Sequence, residues 1–323
     1  MRVRAVRRES ALRRPGRAVR KREQRQDPGG ARLMPRDLRA LELVALAQPV
    51  TTSQLARYLG MSLPMARRRV RALRDLALVN VAAPRLDAEN NVLLAKRGRR
   101  LLVEERGFDM DAIAVMRGIS KIHLAHHAAG VSFFVGLTNA CERSTKVSLA
   151  RFAFEAELRR LAGGSPEVQV PDAVAVVQGR GERLALAIEI DMGSENPSFV
   201  VTRKAHPYAR MHACGAPLLG EACWVVAFVV TSERRRNRLV SAFHEAAVPE
   251  GILYLAVGPG LDEQTLLTDG WWTTRTSPDG EHARLVEESP FAPVLTDRSD
   301  RRHGQAPADL MGSAGLPGRG VRG

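Results

Sequence analysis

The stretch from Pro171 to Tyr208 constrains this chain more than any other. It reads PDAVAVV, a Gln-Gly-Arg-Gly turn, LALAIEID, the polar loop MGSENPS, then FVVTRKAHPYAR. Two short apolar runs around a glycine turn predict a buried hairpin. That hairpin would bring carboxylates to one sheet edge, with Asp172 opening the first strand and Glu189 and Asp191 closing the second. Side chains alternate along a strand, so Glu189 and Asp191 share a face. Lys204 and Tyr208 follow at helical i,i+4 spacing, and Pro207 is expected to kink or interrupt their helix. Converging carboxylates can hold Mg²⁺ or Mn²⁺, and a nearby cation can serve the attacking water or the phosphate. Asp172, Glu189 and Asp191 are the candidate metal ligands. Asp172, Glu189, Lys204 and Tyr208 are the candidate catalytic set, with Glu155 and Glu157 as outer candidates. Taken singly, each has a plainer reading: a turn residue after proline, a solvated strand end, a surface lysine.

Upstream, the pattern is helical. DLRALELVALAQ places Leu38, Leu41, Leu43, Val44 and Leu46 on one face, and Pro49 ends the run. Thr51, Thr52 and Ser53 offer cap hydroxyls to a second helix that stops at Gly60. A third helix, LPMARRRVRALRDLA, opens with Pro64 in its first turn. In it Met65, Val70 and Leu73 can face inward, while Arg67, Arg71 and Arg74 recur on one side with Arg68 beside them. A strand, the turn DAENN, a second strand and a helix follow. Three helices with an arginine-faced third and a β-hairpin predict a winged helix-turn-helix over residues 37–107. Arg67, Arg68, Arg71 and Arg74 are then the candidate contacts to double-stranded DNA, with Arg57 on the second helix adding a backbone contact. A winged helix that meets only protein is the alternative.

The formal net charge is +14, but it is uneven. Residues 1–36 hold 13 Arg/Lys against 3 acids, so most of the excess sits in the head. That head reads as a basic disordered arm or as an over-extended translation start ahead of Met34. Hydrophobic residues make up 45% of the chain, enough for real cores. Cys141, Cys214 and Cys223 show no zinc spacing. No apolar run long enough to span a bilayer occurs, and the N-terminus lacks a signal-peptide core. A cytoplasmic protein with no membrane partner is expected.

Residues 108–119 read as a linker. From Ser120 a helix carries His123, His126 and His127, a cluster better read as packed or solvated than as a metal site. Strands and helices then alternate in the order α-β-β-β-α-β-α-β as far as residue 258. Beyond Gly270 an irregular tail is expected, disordered over 276–323. The expected fold class is therefore α/β (α+β).

The order of elements, Pro171-Asp172 on one strand and Glu189-Ile190-Asp191 on the next, resembles the restriction-endonuclease-like core of PD-(D/E)XK nucleases over 120–275. EIDMGSEN followed by KAHPY, behind a winged helix, is similar to the replication-relaxation family of bacterial and plasmid proteins. The resemblance spans about 37–275. It implies a DNA-associated role in plasmid or mobile-element replication, relaxation or transfer, with replication or transfer proteins as partners. Where nucleases of this layout carry lysine, this chain has Asp191, and Lys204 is the candidate replacement. Three functions stay open: a DNA-binding accessory protein with an inactive nuclease-like domain, an active Mg²⁺-dependent endonuclease, or a winged-helix regulator or adaptor. Neither a nucleotide loop nor a GxSxG elbow is present.

Overall fold

The computed structural model describes residues 33–82, 89–108, 113, 121–163, 169–258, 261–276, 283–287 and 289–295, with backbone alone at 121–123, 274–276 and 283–287. Residues 1–32 of the basic head, most of the expected linker and the tail from 296 lie outside the described residues, while Pro35 and Arg36, expected in the arm, already belong to the first helix.

The N-terminal helices are α1 (Pro35–Ala47), α2 (Thr52–Tyr58), α3 (Leu63–Asp75) and α4 (Lys96–Arg106). Three short strands, β1 (Val50–Thr51), β2 (Val79–Ala82) and β3 (Asn91–Leu94), form an antiparallel sheet in the order β1-β3-β2. Thr51 caps α2 through a reciprocal pair of bonds. Its hydroxyl accepts from the Gln54 amide at 3.2 Å, and its own N–H donates to Gln54 Oε1 at 2.9 Å, so two otherwise orphaned donors are satisfied. Leu41, Leu43, Val44, Leu55, Val70, Leu73 and Leu102 form the buried heart of this module.

Two residues expected inside are outside: Leu46 is 46% exposed and Met65 40% exposed. Ala66 is buried beside Val70 and Leu73 on α3. A further brace joins α1 to α3. Arg69 makes a double contact with the buried carboxylate of Asp37.

Next come α5 (Lys121–Arg143), β4 (Val147–Phe154), α6 (Glu155–Leu161), β5 (Ala173–Gly179) and β6 (Glu182–Asp191). After β6 run α7 (Pro197–Val200), a π-helical turn (Val201–Ala205) and α8 (His206–Ala213). Strand β7 (Trp224–Val230), α9 (Glu233–Glu245), β8 (Leu253–Val257), β9 (Trp271–Thr276), β10 (Ala283–Glu287) and α10 (Ala292–Leu295) complete the chain. The seven strands form one sheet in the order β10-β9-β8-β7-β6-β5-β4. Strands β6, β7 and β8 are parallel, and every other pairing is antiparallel. Arg180 and Gly181, both at positive φ, close the β5–β6 hairpin, as a two-residue turn between twisted strands requires. The parallel step from β6 to β7 needs a crossover, which α7 and α8 provide.

Alternation along β6 divides the core. Ala185 and Ala187 pack with Tyr208, Phe228 and Phe243 on one face. Leu184, Leu186 and Ile188 pack with Phe133, Leu137, Trp271 and Phe291 on the other. The irregular tail expected beyond Gly270 is overturned at residues 271–276, 283–287 and 292–295, which form strands and a short helix. Strand β9 pairs with β8, and Trp271, Phe291 and Val294 are fully buried. Gly, Pro and acidic residues around WWTTRT mask a strand that is paired on both sides, with β8 and with β10.

The two modules are in contact. Gln54 Nε2 on α2 donates to the Ala128 carbonyl at 2.8 Å and lies 2.9 Å from Ser132 Oγ, both on α5. His127 Nε2 sits 2.9 Å from the Ala47 carbonyl. Among the described residues no helix is long and apolar enough to cross a membrane.

Candidate functional site

The ends of β5 and β6 bring Asp172 and Glu189 to one region. Asp172 lies one residue before β5, and its Oδ2 accepts the Ile190 N–H at 2.8 Å. His126, from α5, places Nε2 3.2 Å from the same oxygen and 3.0 Å from the Ile190 carbonyl. Glu189 is 1% exposed on the opposite face of β6 from Ile190. It accepts from Lys204 Nζ at 2.6 Å on Oε2 and from the Tyr208 hydroxyl at 2.5 Å on Oε1.

The helix carrying Lys204 and Tyr208 passes through Pro207 without breaking. A proline has no N–H to give, so a regular turn would leave a carbonyl unpaired. Here the preceding turn is π-helical, with the His206 N–H reaching back to the Val201 carbonyl. The expected interruption is absorbed as a widened turn, a device that recurs at functional sites.

Burial pushes the Glu189 carboxyl up to about 7, against the pull of the Lys204 ammonium. Burial opposes the charge on Lys204, but the Glu189 and Asp172 carboxylates outweigh it and hold the ammonium above its ordinary value. Asp172 is also desolvated. Its bond to His126 and the charge of Lys204 nevertheless bring its pKa below the usual carboxylate range. The same bond raises His126. Burial, reinforced by Glu189, holds the Tyr208 phenol well above its normal pKa.

Asp191 shares its face with Glu189, yet it has a different partner. Arg235 Nη2 on α9 donates to Asp191 Oδ2 at 2.8 Å and Nε to Oδ1 at 3.1 Å, while the Gly193 N–H donates to Oδ1 at 2.6 Å. Both members of this pair are buried. All four oxygens of Glu189 and Asp191 therefore already accept a donor. Among the described residues no group of three or more His, Cys, Asp or Glu side chains could hold a metal ion.

Two members of the network, His126 and Arg235, were not among the expected site residues. His126 stood in a histidine run read as packing, and the choice among His123, His126 and His127 needed the helix docked. Arg235 sits in the run Glu-Arg-Arg-Arg, and nothing in that composition singles out one arginine for burial. Glu155 and Glu157 stay on the surface, paired with Arg159 and Arg151.

On α3, Arg67, Arg68, Arg71 and Arg74 are all exposed. Arg71 Nε makes a long contact of 3.4 Å to the Arg67 carbonyl, and Arg74 meets Asp75 at 3.2 Å. Among the described residues no acid pairs with Arg67, Arg68 or Arg71. Arg57 is placed differently. Its Nε donates to Glu263 Oε1 at 2.7 Å, and Glu263 also binds Arg143 at 2.7 Å and Asn139 at 2.8 Å.

Comparison with known proteins adds three findings. Among curated proteins none matches this chain. The crystal structure of RV1404 from Mycobacterium tuberculosis is similar at 25% identity over 30% of this chain and 74% of that one, with a TM-score of 0.21, too slight a likeness to carry an argument. The model of a family described as Replication-relaxation matches residues 41–217.

Proposed function

Because this chain belongs to the replication-relaxation family, we propose that it is a DNA-binding accessory protein of plasmid or mobile-element replication, relaxation or transfer. We read α1–α3 with the β2–β3 hairpin as a winged helix-turn-helix. The elements α5, β4, β5, β6, α8 and β7 then form a restriction-endonuclease-like core. The observation that carries the reading is the outward arginine face of α3, where Arg67, Arg68 and Arg71 have no acidic partner among the described residues. Exposed guanidinium groups on the third helix of such a module meet phosphates, and phosphate contacts dominate affinity for duplex DNA.

The second domain holds its carboxylates in ion pairs, and Mg²⁺ or Mn²⁺ does not fit them as they are arranged. Divalent cations of this kind need several oxygen ligands. Lys204 and Tyr208 take both oxygens of Glu189, and Arg235 with Gly193 takes those of Asp191. Asp172 alone keeps an oxygen, Oδ1, without a described donor. We therefore assign Lys204, Tyr208 and Arg235 to holding the fold around Glu189 and Asp191, and we derive no cleavage step.

Fluorescence anisotropy with a duplex at several salt concentrations tests DNA binding. The triple change of Arg67, Arg68 and Arg71 to Ala is expected to weaken binding at least about tenfold and to flatten the salt slope by roughly 0.9 per lost phosphate contact. Unchanged affinity and slope would sink the assignment of α3. Supercoiled plasmid with Mg²⁺ or Mn²⁺ tests the other half, and no nicking is expected. Nicking that disappears in both Asp172→Ala and Glu189→Ala would establish a metal-dependent endonuclease instead.

A further inference from the structure

A second feature, separate from the Glu189 network, lies where the two modules meet. The carboxyl ends of the parallel strands β6, β7 and β8, the middle of α5 and the side chain of Arg57 on α2 enclose a cleft of about 280 Å³. Carboxyl ends of parallel strands are where open α/β sheets place ligands. The walls are mainly apolar: Phe133 from α5, Ile190 from β6 and Met192 just after it, Val229 from β7, and Leu261 and Leu266 beyond β8. An apolar engineered cavity of about 150 Å³ admits benzene, and drug-sized ligands occupy roughly 300–1,000 Å³. This cleft therefore suits one substituted ring or a short branched chain.

Charge at the rim specifies the rest of the ligand. Arg57 uses Nε on Glu263, and its terminal N–H groups have no acceptor among the described residues. Glu263 is shared with Arg143, so one carboxylate serves two guanidinium groups. Asp262 stands beside Glu263 but is solvent-exposed and caps the turn at Gln264 and Thr265. Asp191 also borders the cleft, but Arg235 neutralises it. Thr231 and Ser132 also line the cleft, and the Ser132 hydroxyl already meets Gln54 Nε2 at 2.9 Å. A planar guanidinium with free donors is matched to a carboxylate, which it binds through paired N–H bonds.

We propose that this cleft binds a small apolar carboxylate, its ring or branched body against Phe133, Val229 and Leu266 and its anionic end on Arg57. Such a molecule touches α2, α5 and the end of β6 at once, so its site belongs jointly to both modules. The proposal does not depend on the DNA-binding reading.

Fluorine NMR of the full chain with para-fluorobenzoate as the probe tests this, with neutral para-fluorobenzyl alcohol as its partner probe. Wild-type protein is expected to bind both saturably, and methyl-labelled protein to show the shifts at Val229, Leu261 and Leu266. Ala129 lines the cleft, and Ala129→Leu, which fills it, is expected to weaken both probes about tenfold or more, equivalent to about 1.4 kcal/mol. Arg57→Met is expected to weaken para-fluorobenzoate about fivefold while leaving the alcohol within about twofold, and Arg57→Lys, which keeps the charge but not the paired N–H bonds, to restore only part of the loss. Circular dichroism checks that each variant folds. The proposal is overturned by an absence of saturable binding, by an Ala129→Leu variant that binds as tightly as wild type, or by equal losses of both probes in Arg57→Met.

Discussion

The arginines of α3 and the carboxylates of β6 meet opposite conditions within one chain. Arg67, Arg68 and Arg71 stand in solvent with no acidic partner among the described residues. Glu189 and Asp191 are buried, and every carboxylate oxygen of theirs has a donor. A solvated charge costs the fold little and stays available to a partner. A desolvated charge must be paired where it lies, because burial without compensation costs several kcal/mol. Charged side chains are thus left in solvent on α3 and drawn into internal order on β6.

Removing one partner of the buried pair should break this contrast most forcefully. Arg235→Ala leaves Asp191 desolvated and unpaired, and is expected to lower unfolding stability by about 3–5 kcal/mol in a urea titration. A loss under about 1 kcal/mol would mean that water reaches Asp191 and that the pair behaves like a surface bridge.

Glu189 should show the next effect, through pH. Its pKa is raised from 4.5 to about 7 on folding, so the folded state holds its proton more tightly than the unfolded chain. The resulting stabilisation is complete below about pH 4.5 and is lost as pH rises through about 7. Relative to Glu189→Gln, the wild type should lose on the order of 3 kcal/mol across that window. Parallel stability curves for the two proteins would contradict the raised pKa of buried Glu189.

The α3 arginines sharpen the comparison from the other side. Their triple replacement by Ala should leave the unfolding midpoint nearly unchanged, with each site contributing no more than about 0.5 kcal/mol, while the proposed DNA binding is expected to weaken. His126 should give the smallest effect. Its pKa is raised by the bond to Asp172, so its contribution is fully present below its unfolded value and is lost as pH rises through the folded one. His126→Gln should therefore destabilise the protein more at acidic pH than at alkaline pH. Equal losses at both would leave His126 as packing alone.

Much of this was legible in the sequence because it is local. The hydroxyl cap that Thr51 gives α2 depends on neighbours a few residues apart, and so does the glycine turn between β5 and β6. The i,i+4 spacing of Lys204 and Tyr208 was legible too, whereas the carboxylate they share, Glu189, was not assigned to them until the helix was packed. What escaped the reading depends on distant contacts. Strand β9 exists because β8 offers it an edge. Arg69 was one arginine among three in a row, and only the position of Asp37 on α1 draws it to an internal brace.

The sequence by itself determined the residue types available: an arginine-lined third helix, two apolar strands carrying Asp172, Glu189 and Asp191, and a lysine on the following helix. Periodicity and turn chemistry act within a few residues, and that is why these features could be placed. Only the tertiary structure decided how the charges pair. It matched Lys204 and Tyr208 to Glu189, Arg235 to Asp191, His126 to Asp172 and Arg57 to Glu263. Partner choice among so many arginines follows from which carboxylates burial strips of water, a property of the packed whole that no short window of residues contains.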